Sequence, residues 1–277
     1  MPKRPTGYYR PKALDEALKL LADPDKISLA GGTKLLAGDV ESAVVDLQDL
    51  GLDRIEEDNG LLKIGSMVRL NNVVTGVDGK LFTNRAETRL DQDGLFQRTL
   101  QLSGPNTYRN AATFGGTVAS RLADSELLAA LLAFDAEIVI LSPSEKRISL
   151  AEYLLPEEKP DGLITEVTIP WGSGHGSSHR VARTPADYPI VSITAWLPED
   201  GKVRLAATGL REIPCRLESS ERFLSDGISD DAIEQAAAKA KSSTKHPGDF
   251  RGDTAYRADM AAVLTNRALR DIQAQLR

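Results

Sequence analysis

The chain has 277 residues, 41% of them hydrophobic and 27% charged, and a formal net charge of −6. That balance describes a globular protein of one or two domains with enough apolar residues for a core. It argues against nucleic-acid binding, which wants a basic face. A single cysteine, Cys215, leaves no internal disulfide and no iron–sulfur cluster on this chain, since clusters normally need four thiolates. The opening MPKRPTGYYRPK has basic residues with no apolar run behind them, so no secretory signal is visible. The longest apolar run, Leu127 to Phe134, is far short of the ~20 residues that span a bilayer. A cytoplasmic protein without a membrane span is the expectation.

Leu14, Ala17, Leu18 and Leu21 share one face at helical spacing, which predicts a helix over Ala13 to Ala22. Ile27 to Ala30 reads as a short apolar strand. It delivers a glycine loop, Leu29-Ala30-Gly31-Gly32-Thr33-Lys34-Leu35, and Thr33 to Ala37 reads as a helix start. A helix start under a glycine-rich loop is a ready anion site. Ala43 to Leu47 reads as a buried strand. Leu52 to Glu57 and Leu61 to Gly65 flank Asp58-Asn59-Gly60, a strong hairpin signal. Val68 to Val74 is ambiguous. Leu81 to Ser103 reads as helical with a break near Asp93-Gly94, and Leu95, Leu100 and Leu102 are its expected core contacts.

Arg109 to Ile140 reads as a glycine loop, a short strand, a polar connection, a helix and another strand. The loop is Thr113-Phe114-Gly115-Gly116-Thr117. Paired glycines permit φ > 0 and close approach to a ligand, and the N–H groups of such a loop can nest phosphate oxygens. Local geometry alone makes a glycine pair an ordinary turn. Asp124-Ser125-Glu126 offers N-cap candidates for the apolar helix that follows. Ala136 to Leu141 reads as a strand, Ser142 to Glu145 as a turn, Arg147 to Leu154 as a short strand and helix, and Leu163 to Ile169 as a strand ended by Pro170. The glycine- and serine-rich stretch from Trp171 to His179 reads as a mobile connection and a domain boundary. Ser178 to Arg183, Ile190 to Leu197 and Val203 to Leu210 read as strands, with Asp200-Gly201 as the hairpin turn between the last two. Asp230 to Lys241 and Ala255 to Leu276 read as helices, the last strongly amphipathic.

Several tempting patterns lead nowhere. No G-x-G-x-x-G opens a helix after the first strand, and GGTK is not a phosphate-binding P-loop. His175 and His179 have no acid or cysteine at ligand spacing for zinc. Gly172 to Gly176 is not G-x-S-x-G. Arg251-Gly252-Asp253 is an adhesion tripeptide only by chance, and Cys215 reads as a small half-buried residue.

The two glycine loops carry a resemblance. AGGTKLLAG and RNAATFGGT lie at places matching the AGGTDL-like and RNxATxGGN-like loops in the flavin subunits of molybdenum hydroxylases, the xanthine dehydrogenase and carbon monoxide dehydrogenase relatives. The resemblance covers nearly the whole chain. Tyr8-Tyr9-Arg10-Pro11 with LDEALKLLA resembles the family's opening strand and helix, and VVDLQDL and LLKIGSMVRLNNV its next segments. LITEVTIP resembles the strand closing the flavin domain. VARTPADYPIVSITAWL and GDFRGDTAYRADMAAVLTNRAL resemble parts of the C-terminal domain.

The resemblance implies an α+β fold. A PCMH/VAO-type FAD-binding domain would span 1–172, with two α/β subdomains (about 1–55 and 56–172) and the cofactor between them. A C-terminal flavoprotein domain, 173–277, would hold a three-stranded antiparallel sheet with helices. Both loops would wrap the FAD pyrophosphate through backbone amides. Glu126 takes the place of an aspartate that hydrogen-bonds the ribityl chain in relatives. Asp187-Tyr188 resembles a pair beside the isoalloxazine ring, where Tyr188 would stack. Arg180 or Arg183 would compensate charge at the N1–C2 edge, and Ile164 would offer a backbone contact. Two positions depart from the pattern: Lys34 where an acid or other polar residue is usual, and Thr117 where asparagine is usual. Each residue also has a plainer reading. Lys34 would be an exposed lysine, Glu126 a first-turn acid favourable to the helix dipole, Tyr188 a core or surface tyrosine, Arg180 and Arg183 solvated arginines, and Ile164 a core residue.

The implied role is an FAD-binding electron-transfer subunit of a molybdopterin-dependent hydroxylase or dehydrogenase. It would take electrons from an iron–sulfur subunit and pass them to NAD+, a quinone or dioxygen, and none of its residues would act as general acid or base. A molybdopterin-binding subunit would oxidise the substrate, and the assembly would be a dimer of heterotrimers. Two other classes stay open. One is a cofactor-free scaffold or regulatory homologue, motivated by Lys34 and Thr117. The other is a stand-alone flavin oxidoreductase, for which the sequence shows no polar substrate constellation.

Overall fold

The computed structural model describes residues 4–75, 94–155, 160–170 and 172–277. They fall into two compact units. The first takes the described residues of Met1–Leu81, Gly104–Ser120 and Glu137–Ile169; the second takes those of Phe82–Ser103, Arg121–Ala136 and Pro170–Arg277.

The chain opens with strand β1 (Tyr8–Tyr9), helix α1 (Leu14–Leu21) and strands β2 (Lys26–Leu29) and β3 (Ala43–Asp46). The strands pair in parallel in the order β1-β3-β2. β3 is buried at all four residues, as its apolar run predicts for a central parallel strand. The apolar stripe of α1 (Leu14, Leu18, Leu21) packs on the cluster of Leu47, Met67 and Leu163. Strands β4 (Ile55–Asp58) and β5 (Leu61–Gly65) form the expected hairpin. Asn59 and Gly60 take φ of 50° and 75°, as a type I′ turn requires.

The ambiguous stretch after it is helix α2 (Leu70–Thr75), which buries Leu70, Val73 and Val74. Helix α3 (Leu95–Gln101) is the described part of the segment expected to be helical from Leu81, whose first part lies outside the described residues. Leu95 and Leu100 are buried as expected, whereas Leu102 is exposed.

Helices α4 (Asn106–Arg109), α5 (Phe114–Ser120) and α6 (Glu126–Ala133) come next. No short strand follows the second glycine pair, because the pair is itself in the first turn of α5. Glycine costs a helix interior about 1 kcal/mol against alanine, but here a side chain has no room. A Cβ on Gly115 would stand 2.4 Å from Ser66 Cβ, and one on Gly116 2.9 Å from Thr113 Oγ1. Phe114 and Val118, four apart and fully buried, anchor the helix. Thr113 caps it, its Oγ1 accepting from Gly116 N at 3.1 Å.

Strand β6 (Glu137–Ser142), strand β7 (Ser144–Ser149), helix α7 (Leu150–Leu154) and strand β8 (Leu163–Pro170) complete the first unit. A capping box between Ser149 and Glu152 starts α7. The second sheet has the order β4-β5-β8-β6-β7.

The stretch expected to be a mobile connection is instead strand β9 (Gly174–Val181). Its glycines make room rather than slack. A Cβ on Gly174 would stand 2.5 Å from the Trp196 ring, and one on Gly176 2.7 Å from Leu95 Cδ2. Strands β10 (Val191–Pro198), β11 (Arg204–Thr208) and β12 (Cys215–Arg216) complete an antiparallel sheet, β12-β11-β10-β9. The two-residue β12 adds to the three strands expected. Helices α8 (Glu218–Glu221), α9 (Asp230–Ser242) and α10 (Thr254–Gln275) follow.

Ile193, Ala195, Leu205 and Ala207 meet Ile233, Ala236 and Ala240 of α9 and Leu264, Ala268, Leu269 and Ile272 of α10. Each fully buried leucine or isoleucine contributes about 1.5–3 kcal/mol. Alternate residues of β10 face the other way. There Trp196 meets Phe134 edge-on at 5.0 Å between centroids, and Phe134 meets Phe96 at 5.9 Å.

Candidate cofactor site

In the first unit, β2 ends at Leu29 and hands the chain to Ala30-Gly31-Gly32-Thr33. Gly32 has φ of 70°, a conformation that favours glycine. The loop closes when Leu36 N donates to Gly32 O at 2.9 Å, and one 3-10 turn, Leu35–Ala37, takes the place of the expected helix start. The N–H groups of Gly31, Gly32 and Thr33 donate to no acceptor among the described residues. Three consecutive half-exposed donors around a positive-φ glycine form an anion nest. Lys34 stands exposed beside them, its Nζ 5.7 Å from the centre of the Tyr108 ring.

The second loop lies against the first through backbone. A Cβ on Gly31 would stand 1.9 Å from Ala111 O, and one on Gly116 3.7 Å from Ala30 Cβ. Of its five amides, only that of Thr113 donates to no acceptor among the described residues. Phe114 N donates to Val68 O (2.8 Å), Gly115 N to Ser66 O (2.9 Å), Gly116 N to Thr113 Oγ1 and Thr117 N to Thr113 O (2.9 Å). The buried Thr117 hydroxyl also donates to Thr113 O. A helix leaves its first N–H groups unpaired; here Val68 O, Ser66 O and the Thr113 hydroxyl take three of them. The glycines of this segment serve close approach. Sequence reasoning missed Ser66, whose buried Oγ has no hydrogen-bond partner among the described residues and whose Cβ faces Gly115. Ile164 is a buried residue of β8 paired with Ile140.

In the second unit, Glu126 begins α6, one residue after its cap Ser125, whose Oγ accepts from Leu128 N at 3.3 Å. The Glu126 side chain is 4% exposed. Its Oε2 lies 3.3 Å from Arg180 Nη1, and its Oε1 has no partner among the described residues. Burial pushes this carboxyl up to about 7, with Arg180 pulling it down and Asp124 adding to the rise. Arg180 Nη2 donates to the carbonyl of Asp187, next to Tyr188. Asp187, Tyr188 and Arg183 are exposed. So the structure brings Glu126, Arg180 and the Asp187-Tyr188 turn together within one unit.

Two further clusters of the second unit escaped sequence reasoning, because their members are far apart in the chain. Arg251 bonds Asp124 (3.2 Å) and Asp249 (3.1 Å), and the buried Arg257 bonds Asp249 at 2.7 Å. His179 Nε2 and Ser177 Oγ share Asp271 Oδ2 at 2.7 and 2.8 Å.

The test for a cofactor's fit is whether this chain leaves room and donors for one. A glycine cradle with spare amides suits the phosphates of a dinucleotide, and a buried carboxylate with a spare oxygen suits a ligand hydroxyl. The fold is α+β, and these two features suit a dinucleotide ligand. Residues 4–172 match the family described as FAD binding domain in molybdopterin dehydrogenase, and residues 179–272 the CO dehydrogenase flavoprotein C-terminal domain. The chain belongs to this family of molybdopterin-dehydrogenase FAD-binding proteins. It is 29% identical to the uncharacterized protein YgfM of Escherichia coli K12 over 96% of both chains. It is 26% identical to the glyceraldehyde dehydrogenase medium chain of Sulfolobus acidocaldarius, covering 96% of this chain and 98% of that one. With the carbon monoxide dehydrogenase medium chain of Hydrogenophaga pseudoflava the identity is 25% over 95% of both. The fold matches a solved carbon monoxide dehydrogenase from Hydrogenophaga pseudoflava with a TM-score of 0.87 over 99% of both chains at 22% identity. It matches quinoline 2-oxidoreductase from Pseudomonas putida 86 with a TM-score of 0.85, covering 99% of each chain at 23% identity.

Proposed function

We propose that the chain is the FAD-bearing electron-relay subunit of a molybdopterin-dependent hydroxylase or dehydrogenase. The observation that carries this reading is the row of three spare N–H groups at Gly31, Gly32 and Thr33. Bound FAD would supply the redox chemistry, accepting electrons from a partner and releasing them to NAD+, a quinone or dioxygen. The rest of the work belongs to this chain's own groups.

Gly31, Gly32 and Thr33 would hold the pyrophosphate by their amides, with Leu29, Ala30 and Leu35 framing the loop. Lys34 adds positive charge beside it. Thr113, Phe114, Gly115, Gly116 and Thr117 would form its close-packed wall. Glu126 would accept a hydrogen bond from a ribityl hydroxyl, and Tyr188 would lie against the ring. Ile164 sits deep in β8, so its part is at most a main-chain one.

The domain division in this proposal is 1–172 for flavin binding and 173–277 for the C-terminal flavoprotein domain. The partners would be an iron–sulfur subunit and a molybdopterin-binding subunit in a dimer of heterotrimers. The location would be cytoplasmic; among the described residues no helix is long and apolar enough to cross a membrane.

The test is the composition of the complex purified from its own cells through a tag on the full chain. FAD, iron, acid-labile sulfide and molybdenum should travel together. FAD without iron or molybdenum would turn the reading toward a stand-alone flavin oxidoreductase. Absence of flavin would turn it toward a scaffold.

A further inference from the structure

Arg180 lies on β9, mostly buried, and its guanidinium grips two segments remote in sequence. Nη1 faces Glu126 Oε2 at the start of α6, and Nη2 donates to the Asp187 carbonyl. A planar, fork-shaped group fixes both partners in one geometry, which a lysine cannot do. The Glu126 oxygen left over is buried and bonded to nothing among the described residues, so it is poised for an outside donor.

We propose that Arg180 is a positioning residue for the flavin: it presents the spare oxygen of Glu126 to a cofactor hydroxyl and sets the Asp187-Tyr188 turn in the same grip. This assignment rests on the flavin reading above. The sequence-based expectation had Arg180 or Arg183 compensate charge at the ring edge; the grip on Glu126 gives Arg180 this different role.

The readout is proton linkage. Arg180 and Asp124 are the charged groups that act on Glu126. Asp124 is paired with Arg251. Of the other charges around α6, Arg204 and Arg216 pair with Asp135 at its far end, and Arg98 of α3 acts at a distance on Asp271. A ligand hydroxyl donates to the ionised carboxylate, so FAD affinity should weaken as Glu126 takes up its proton. For the wild-type chain, Kd should be flat above the Glu126 midpoint near 7 and rise by up to about tenfold per pH unit below it.

The experiment measures FAD Kd by flavin fluorescence across pH ~5 to ~9 and visible circular dichroism of the bound flavin, on full-length wild type, Arg180→Met and Arg180→Lys. Arg180→Met removes the cation that lowers the Glu126 midpoint. Its break should move to higher pH, Kd near pH 7 should rise on the order of tenfold, and the dichroism should change as the Tyr188 turn is released. Arg180→Lys restores the charge but not the fork, so the break should return while the altered dichroism persists. An Arg180→Met chain with the wild-type break overturns the proposal, as does an Arg180→Lys chain whose break stays with Met. If Met fails to fold by far-UV dichroism, the lysine variant decides alone: a wild-type break with wild-type dichroism overturns the proposal. Wild type that binds no FAD at any pH overturns the flavin reading itself, a distinct result.

Discussion

A Cβ placed on Gly31 would stand 1.9 Å from the carbonyl oxygen of Ala111. The first glycine loop therefore rests on the backbone just ahead of the second, and no side chain fits the gap. Gly31→Ala should force the segments apart, raise the FAD Kd at least about tenfold and lower the melting temperature. Gly38→Ala is the control, since nothing lies within 4 Å of a Cβ there. Titration with FAD and thermal melts of both variants check this. A Gly31→Ala chain indistinguishable from Gly38→Ala would show that the close approach does not matter.

Glu126 costs the cofactor-free chain stability in a defined pH window. Its carboxyl is raised from 4.5 to about 7, so the folded chain holds a proton that the unfolded chain releases first. Stability therefore falls as pH rises from 4.5 to about 7 and is level above. Glu126→Gln removes the titration. It should melt higher than wild type at pH ~8 without FAD, and it should bind FAD more weakly. Melts of both chains over that range decide it; parallel melting curves would count against a buried, weakly paired carboxylate.

Arg257 is 1% exposed and bonds four acceptors: the carbonyls of Ile190, Gly209 and Gly252, and Asp249. Burial works against the charge on Asp249, yet hydrogen bonds from Arg251 and Arg257 hold its carboxyl far below the usual range. Arg257→Met leaves buried carbonyls without their donor and takes from Asp249 one of its two arginines, and should cost about 3–5 kcal/mol. The wild-type contribution from Asp249 is present above the ordinary carboxylate pKa and is lost as pH falls through the lowered value. Urea titrations of the two chains at neutral and acidic pH should therefore differ most at neutral pH. A loss under 1 kcal/mol would mean that water replaces the arginine.

What the sequence showed depended on the range of the signal. The Asp58-Asn59-Gly60 hairpin, the helix of Leu14 to Leu21 and the hairpin turn at Asp200-Gly201 were legible because turn chemistry and periodicity are local. Phe114-Gly115-Gly116 read as a loop because glycine disfavours helix. Only the approach of Ser66, set by tertiary packing, shows why glycine sits in that helix. The glycines of β9 misled in the same way, since their reason is the indole of Trp196. The first glycine loop was legible as an anion site, but that the second spends four of its five amides internally was not. Nor was the pairing of Glu126 with Arg180, which lie far apart in the chain; taken singly, Glu126 read as a first-turn acid and Arg180 as a solvated arginine.

The most direct test of the account is an absorbance spectrum of the purified full chain, followed by denaturation and identification of the released flavin. Stoichiometric FAD, with a flavin spectrum that is lost in Gly31→Ala, is the predicted result. A colourless chain that takes up no flavin even after incubation with excess FAD would contradict it.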